Sequence, residues 1–218
     1  MSAGAKGIVK AAATAVNAPI GRRRLERALA ATSGPLRLEL GSNARRAGWV
    51  VTNVSWRARL HLDATQPWPI EADSVDVVFA DNMIEHLPLP AGRAALQHAH
   101  TALRPGGTIR LATPDVEAAV RLYLGQNEEQ AEAVMEMHRR AGRVAEHPVD
   151  ILRIPFNEHG HHIGYLFDEA SLAAELKRAG FHGIRRCAAG ESDRPELRGL
   201  ENRHDAEAFV QLIMEADA

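Results

Sequence analysis

Two groups of residues in this chain are of types that do acid–base or coordination chemistry. His86 follows closely on the apolar run VDVVFADN (75–82), with Glu85 just before it. A histidine of ordinary pKa, about 6.5, accepts a proton at neutral pH, so His86 is a candidate general base. The plainer alternative is that Glu85 and His86 only cap and orient the helix behind them. The second group is NEHGHHIGYLFD, where Glu158, His159, His161 and His162 crowd together. His159 and His162 are candidate catalytic residues, able to polarise or contact an acceptor. Three histidines this close seldom all turn inward on one metal, and a wet loop is the competing reading. Asp81 and Glu158 are weaker candidates for a magnesium site, because hard cations prefer oxygen ligands.

Such groups act only when a scaffold positions them. After the break at Ser33, Gly34 and Pro35, LRLEL (36–40) alternates and stops at Gly41, as a strand does before a tight turn. WVVTNVSW (49–56) and ARLHLDA (58–64) are two further β-rich runs. VDVVFADN is nearly all apolar, as expected of a parallel strand buried on both faces. A helix over 91–103 stops at the Arg104, Pro105, Gly106, Gly107 turn, and TIRLATP (108–114) is a fifth strand. Residues 116–144 read as helical and 146–167 as a loop. DEASLAAELKRAGF (168–181) is a helix with an acidic cap and a closing Gly180. HGIRRCAAG returns as a strand, 190–204 is polar and irregular, with 191–203 read as a solvated surface and a substrate lid or dimer contact as the alternatives, and a last helix spans 205–216. The apolar face of that helix either packs internally or builds a homodimer, and spacing does not separate the two.

Strands alternating with helical crossovers predict a doubly wound α/β domain with a mostly parallel sheet and helices on both faces. Residues 1–34 read as an N-terminal helical extension, structural or lid-like, whose first helix ends near Asn17 at a Pro19, Ile20, Gly21 break. Residues 35–218 read as the single remaining domain. In open sheets of this kind a ligand sits beyond the carboxyl ends of the strands. The residues there are Gly41, Ser42 and Asn43; Asn53, with Ser55 nearby; Asp63 and Ala64; and Asp81 and Asn82. The loop GSNARR lacks the second and third glycines of a dinucleotide fingerprint, since Asn43 and Arg46 stand there. A cofactor without a pyrophosphate, such as S-adenosylmethionine, tolerates that turn better.

The ordered set ELGSNARRAGW (39–49), DATQPWPIEADSVDVVFADNMIEHL (63–87), LRPGGTIRLATPD (103–115) and GESDRPELRGLE (190–201) resembles the class I S-adenosylmethionine-dependent methyltransferases, most of all the small bacterial type. The resemblance covers 36–201 and implies a Rossmann-like fold with S-adenosylmethionine as cofactor. By position it implies that Glu39 and Gly41 meet the methionine part, Asp63 and Ala64 the adenine, and that Asp81 and Asn82 wall the sulfonium. Asn43 stands where a glycine is common and Asn53 where an acid normally grips the ribose hydroxyls. Asn offers one uncharged acceptor, so weaker cofactor affinity is expected.

Composition narrows the acceptor. The net charge of −2 gives no general pull on nucleic acid, and aromatic residues are only 5%, which disfavours base stacking. No apolar run spans a membrane, and the single cysteine, Cys187, excludes an internal disulfide and suits the cytoplasm. The expectation is therefore O-methylation of a small hydroxylated acceptor, a sugar or oligosaccharide first, with magnesium as a candidate second cofactor. N- or C-methylation of a metabolite, and a non-catalytic S-adenosylmethionine-binding interaction protein, are the alternatives.

Overall fold

The computed structural model describes residues 3–158, 161–201, 203 and 205–218. Its sheet is organised by β3 (Val75–Asp81), in which Val75, Val77, Val78 and Phe79 are fully buried. A strand that is apolar on both faces needs partners on both edges and cover above and below. β3 pairs in parallel with β1 (Arg37–Leu40) on one edge and β4 (Leu103–Pro114) on the other. β2 (Val50–Thr52) extends the sheet beyond β1, again in parallel. Beyond β4 lies β6 (Gln211–Asp217), antiparallel to it, and then β5 (His182–Cys187). The order is β2-β1-β3-β4-β6-β5, a mixed, mostly parallel six-stranded sheet.

Alternate residues of β3 feed two different cores. Val78 and Ala80 join Leu38, Leu40, Ile109 and Leu111 under α1 (Ala3–Ala30), α2 (Leu89–Ala102) and α6 (Glu169–Ala179), through Leu25, Leu96 and Leu172. Val77 and Phe79 face the other way, against Leu197, Leu200 and Trp49. A third core forms where α3 (Val116–Tyr123), α4 (Glu128–Arg140) and α5 (Asp150–Asn157) meet, through residues such as Leu122, Val134 and Ile154. None of the described helices is long and apolar enough to cross a membrane.

Several expectations change. The last segment is not a helix: only α7 (Asp205–Ala208) is helical, and 211–217 is β6. A short apolar run does not by itself distinguish strand from buried helix. Here Leu212 to Ala216 are each no more than 2% exposed, so a slot between two strands decides the matter. Of the apolar side chains that suggested a dimer face, Leu212, Ile213, Met214 and Ala216 therefore lie inside the sheet, and Phe209 and Val210 pack half-buried on the helical core around Leu122. The run at 58–64 makes only a single bridge, His61 to Asn53. The expected break at Pro19 does not occur, although a proline in a helix forfeits one backbone hydrogen bond. Docking holds the helix through it: Asn17 Nδ2 donates to the Ala58 carbonyl, and Gly21 sits so close to His61 that a Cβ would lie 2.6 Å from His61 Cβ. The 116–144 stretch divides at Gly125 (φ +75°) into α3 and α4, and the presumed loop 146–167 contains α5 and a 3₁₀ turn, His161–Ile163.

The 191–203 stretch, expected to be solvated, is instead cover. Leu197 is fully buried, and Glu201 is 4% exposed. Glu201 and Glu215 both hold the guanidinium of Arg110, a fully buried side chain in β4, with Nη2 of Arg110 2.8 Å from Glu201 Oε2.

Candidate active site

The first strand end is shaped by a missing side chain. Gly41 has φ +81°, and a Cβ there would stand 2.7 Å from Met83 Cγ. Glycine alone takes that conformation without strain. No helix follows before β2; 41–49 is a loop. Arg46 accounts for its course. Its Nε lies 2.8 Å from Oε2 of Glu39, which is 4% exposed, and its guanidinium carbon stands 5.5 Å from the Phe79 ring centre. Glu39, expected at the methionine end of a cofactor, is thus held by an arginine from its own loop.

The second strand end is tied to the first. Asn53 Nδ2 donates to the Gly41 carbonyl at 2.6 Å, and its Oδ1 accepts from the Ser55 amide at 2.8 Å. Ser55 Oγ in turn donates to Asn43 Oδ1, and Ser42 Oγ accepts from the Ala44 amide. An aspartate could not donate as Asn53 does, so the exchanged residue braces the turn. Asp63 turns the chain by accepting from both the amide and the hydroxyl of Thr65 on Oδ1, leaving Oδ2 outside that turn. The Ala64 carbonyl accepts from the Trp68 indole.

At the end of β3, Asp81 forms an ion pair with Arg203. Burial pushes the Asp81 carboxyl above its ordinary range, and Arg203 opposes that shift. Asn82 takes φ +46°, and its side-chain Oδ1 is buried without a hydrogen-bond partner among the described residues. The chain then enters a 3₁₀ turn, Ile84–His86, which puts Glu85 inward, fully buried. Thr113 Oγ1 donates to Glu85 Oε2 at 3.2 Å, whereas Oε1 accepts no hydrogen bond among the described residues. Burial raises the Glu85 pKa to about 7.

A glycine brings the histidine loop to this turn. A Cβ on Gly164 would lie 1.8 Å from the Glu85 carbonyl oxygen, so the two backbones touch, and the Tyr165 amide donates to that same oxygen. The docking carries His161 to within 3.9 Å (Nε2 to Oε1) of Glu85 and sets its ring 4.7 Å from that of His86. His161 is 8% exposed, and His86 is half-buried. The expected partners fare differently. His162 is exposed on the outer side of the turn, and His159 lies outside the described residues. Glu158 pairs with Arg143 and Arg153. Among the described residues one group of three metal-ligating side chains converges, Glu85, His86 and His161, and it includes neither Asp81 nor Glu158.

Beside this group opens a cavity of about 290 Å³, lined by Asn82, Pro114 and Asp115 from the strand ends and by residues of α3, α4 and α5. Its walls are mainly apolar (Ala119, Val134, Ile151, Ile154), with His138, His161 and Gln211 among the polar exceptions. Of the expected rim residues Asn82 lines this cavity, and Glu85 and His161 turn inward although neither was named as a site residue. The trace that pointed to them is Gly164, three positions after His161.

A family model described as a methyltransferase domain matches residues 28–185. No curated protein matches the chain in sequence. Among solved structures the chain is similar to the CurJ carbon methyltransferase, at 14% identity and a TM-score of 0.50, over 91% of this chain and 53% of that one. It is also similar to a possible histamine N-methyltransferase of Thermotoga maritima (14%, TM-score 0.47, 91% of each chain). A third is phosphoethanolamine N-methyltransferase 2 of Haemonchus contortus (14%, TM-score 0.48, 91% of this chain and 52% of that one). The chain thus spans about half the length of the first and third. Similarity at this identity describes fold alone.

Proposed function

The chain belongs to the methyltransferase-domain family and is a class I S-adenosylmethionine-dependent methyltransferase; from that premise we propose that it methylates a hydroxyl of a small, hydrogen-donating acceptor, a sugar or single sugar unit first. The observation that carries this reading is the cavity's complement of buried oxygens. Asn82 and Gln211 both line it, and each carries a buried side-chain oxygen, Asn82 Oδ1 and Gln211 Oε1, without a hydrogen-bond partner among the described residues. Buried polar atoms are nearly always satisfied, so two orphaned acceptors on residues of one cavity wall call for a ligand that brings donors and a small side-chain turn to meet it. Hydroxyls do so, while the apolar wall suits the C–H face of a ring. At about 290 Å³ the cavity sits at the small end of ligand sites, sized for one ring and not for a chain of them.

The strand-end residues fit the cofactor. Gly41 lets the backbone pass where a Cβ would strike Met83, and Asp63 keeps Oδ2 outside its turn. Gly41, Ser42, Asp63, Asp81 and Asn82 are the residues that would hold it. S-adenosylmethionine supplies, when bound, an electrophilic methyl group. The chain's own part is to place the acceptor oxygen and to manage its proton, and positioning is a large share of such catalysis. Glu85, His86 and His161 stand at the rim where that proton must leave. A cytoplasmic setting, in which Cys187 stays reduced, completes the reading.

Orphaned oxygens accept equally from an amine N–H, so N-methylation is the second reading. The test is a panel of sugars, polyols and amines incubated with labelled methyl donor, with products identified by mass spectrometry. O-methylated product from a polyol or sugar supports the proposal. Turnover of amines alone, or saturable cofactor binding without any turnover, overturns it.

A further inference from the structure

We propose that Glu85, His86 and His161 bind a first-row transition-metal dication of the zinc, manganese or iron(II) kind at the rim of the acceptor cavity. The inference rests on the reading of that cavity as the acceptor site. The three side chains offer one ligand atom each, and these atoms lie within 4.8 Å of one another. Ligands roughly 2.0–2.2 Å from one metal stand roughly 3–4 Å apart. Adjustments of about 1 Å in side chains therefore close the set.

The strongest sign is Glu85 Oε1, a fully buried oxygen without a hydrogen bond that looks toward His161 Nε2 at 3.9 Å. On the other side of the ring, His161 Nδ1 lies 2.6 Å from the Pro155 carbonyl oxygen. A carbonyl only accepts, so Nδ1 carries a hydrogen, and Nε2 is the ring atom that faces Glu85. Glu85 Oε1 is thus a buried acceptor facing a ring nitrogen, an arrangement that positive charge between them favours. A shared proton needs a separation of about 2.7–2.9 Å. The observed gap is some 1 Å longer and suits a cation. A ring N–H fixed by a backbone carbonyl is also the usual outer support of a metal-bound histidine.

The donor set selects the metal. Two imidazoles and one carboxylate suit zinc, iron(II) or manganese, whereas magnesium takes oxygen ligands. This site is therefore distinct from the magnesium pair Asp81 and Glu158 suggested by sequence. Three protein ligands leave coordination positions open, and His161 also lines the cavity. An acceptor oxygen entering there can occupy one of them and be held facing the cofactor's methyl group.

The full chain, stripped with chelator, is titrated calorimetrically with Zn²⁺ and Mn²⁺ and with Co²⁺ followed by visible absorption. One equivalent is expected to bind, with affinity lower by more than about a hundredfold in Glu85→Gln and His161→Gln, since outer-shell changes alone cost 10–100-fold. His162→Gln, one residue along but exposed, is expected to match wild type. S-adenosylmethionine titration of each variant checks that it is folded. Absence of stoichiometric binding, or binding unaltered by Glu85→Gln, overturns the proposal. Metal bound as described while acceptor turnover ignores both the metal and His161→Gln upholds the metal site and removes the acceptor-site reading instead.

Discussion

At the scale of single residues, Glu85 and Gly41 make opposite demands on their surroundings. Glu85 has lost water without gaining a counter-charge, and burial lifts its pKa from 4.5 to about 7, against the weaker pull of the Thr113 hydroxyl. Between those values the folded chain keeps a proton that the unfolded chain has released. Stability therefore falls as pH rises through that window. Glu85→Gln is neutral throughout and escapes the fall. In metal-free protein it is expected to be more stable than wild type at pH 8, by on the order of 2–3 kcal/mol, and equal to it near pH 4. Urea denaturation at the two pH values measures this, and equal differences at both would refute it. Gly41 demands emptiness. Gly41→Ala combines a strained positive φ with a 2.7 Å contact to Met83. About tenfold weaker S-adenosylmethionine binding by calorimetry is expected, with a melting temperature lower by about 2–8 °C.

At the scale of elements, the site exists because two segments dock. The 161–165 segment lies on the Ile84–His86 turn by backbone contact, so Gly164→Ala, whose added methyl has no room against the Glu85 carbonyl, pushes His161 away from Glu85. The expected result is a folded protein that binds cofactor normally and loses turnover by about 10²-fold or more. Cofactor affinity falling in parallel would show that the contact supports more than the histidine. On the far face the irregular 191–203 segment is held by Glu201 on Arg110. Glu201→Ala leaves a buried guanidinium short of one carboxylate, and a loss of about 3 kcal/mol or more is expected by denaturant titration. A loss below about 1 kcal/mol would mean that Glu215 suffices.

At the scale of the whole molecule, β6 closes the architecture from the far end of the chain. It slots between β4 and β5, so the sheet is incomplete until the last residues arrive. The other end of the chain is drawn in as well: α1 places Leu25, fully buried, in the same core as β1 and β3. Leu25→Ala is expected to cost about 2–5 kcal/mol, measured as a fall in the denaturation midpoint. A negligible change would make α1 a peripheral attachment. The proposed acceptor cavity lies between the strand ends and the α3–α5 core, and the C-terminal segment reaches it through Gln211.

The sequence by itself determined the parallel half of the sheet, the capped helix α6 and the row of polar strand ends. Those follow from local rules: an apolar run bounded by turn residues, an aspartate cap, a glycine after the last helical turn. The tertiary structure alone decided that 211–217 is a strand, that Pro19 does not end α1, and that Asn53 braces Gly41. It also decided that His161 turns inward while His162 faces solvent. Each of these depends on a partner distant in the chain: a vacant slot between strands, the 58–61 segment, the Gly41 carbonyl, the Glu85 backbone under Gly164. Local spacing carries no information about what waits on the other side of a contact, and at this site the chemistry is made of such contacts.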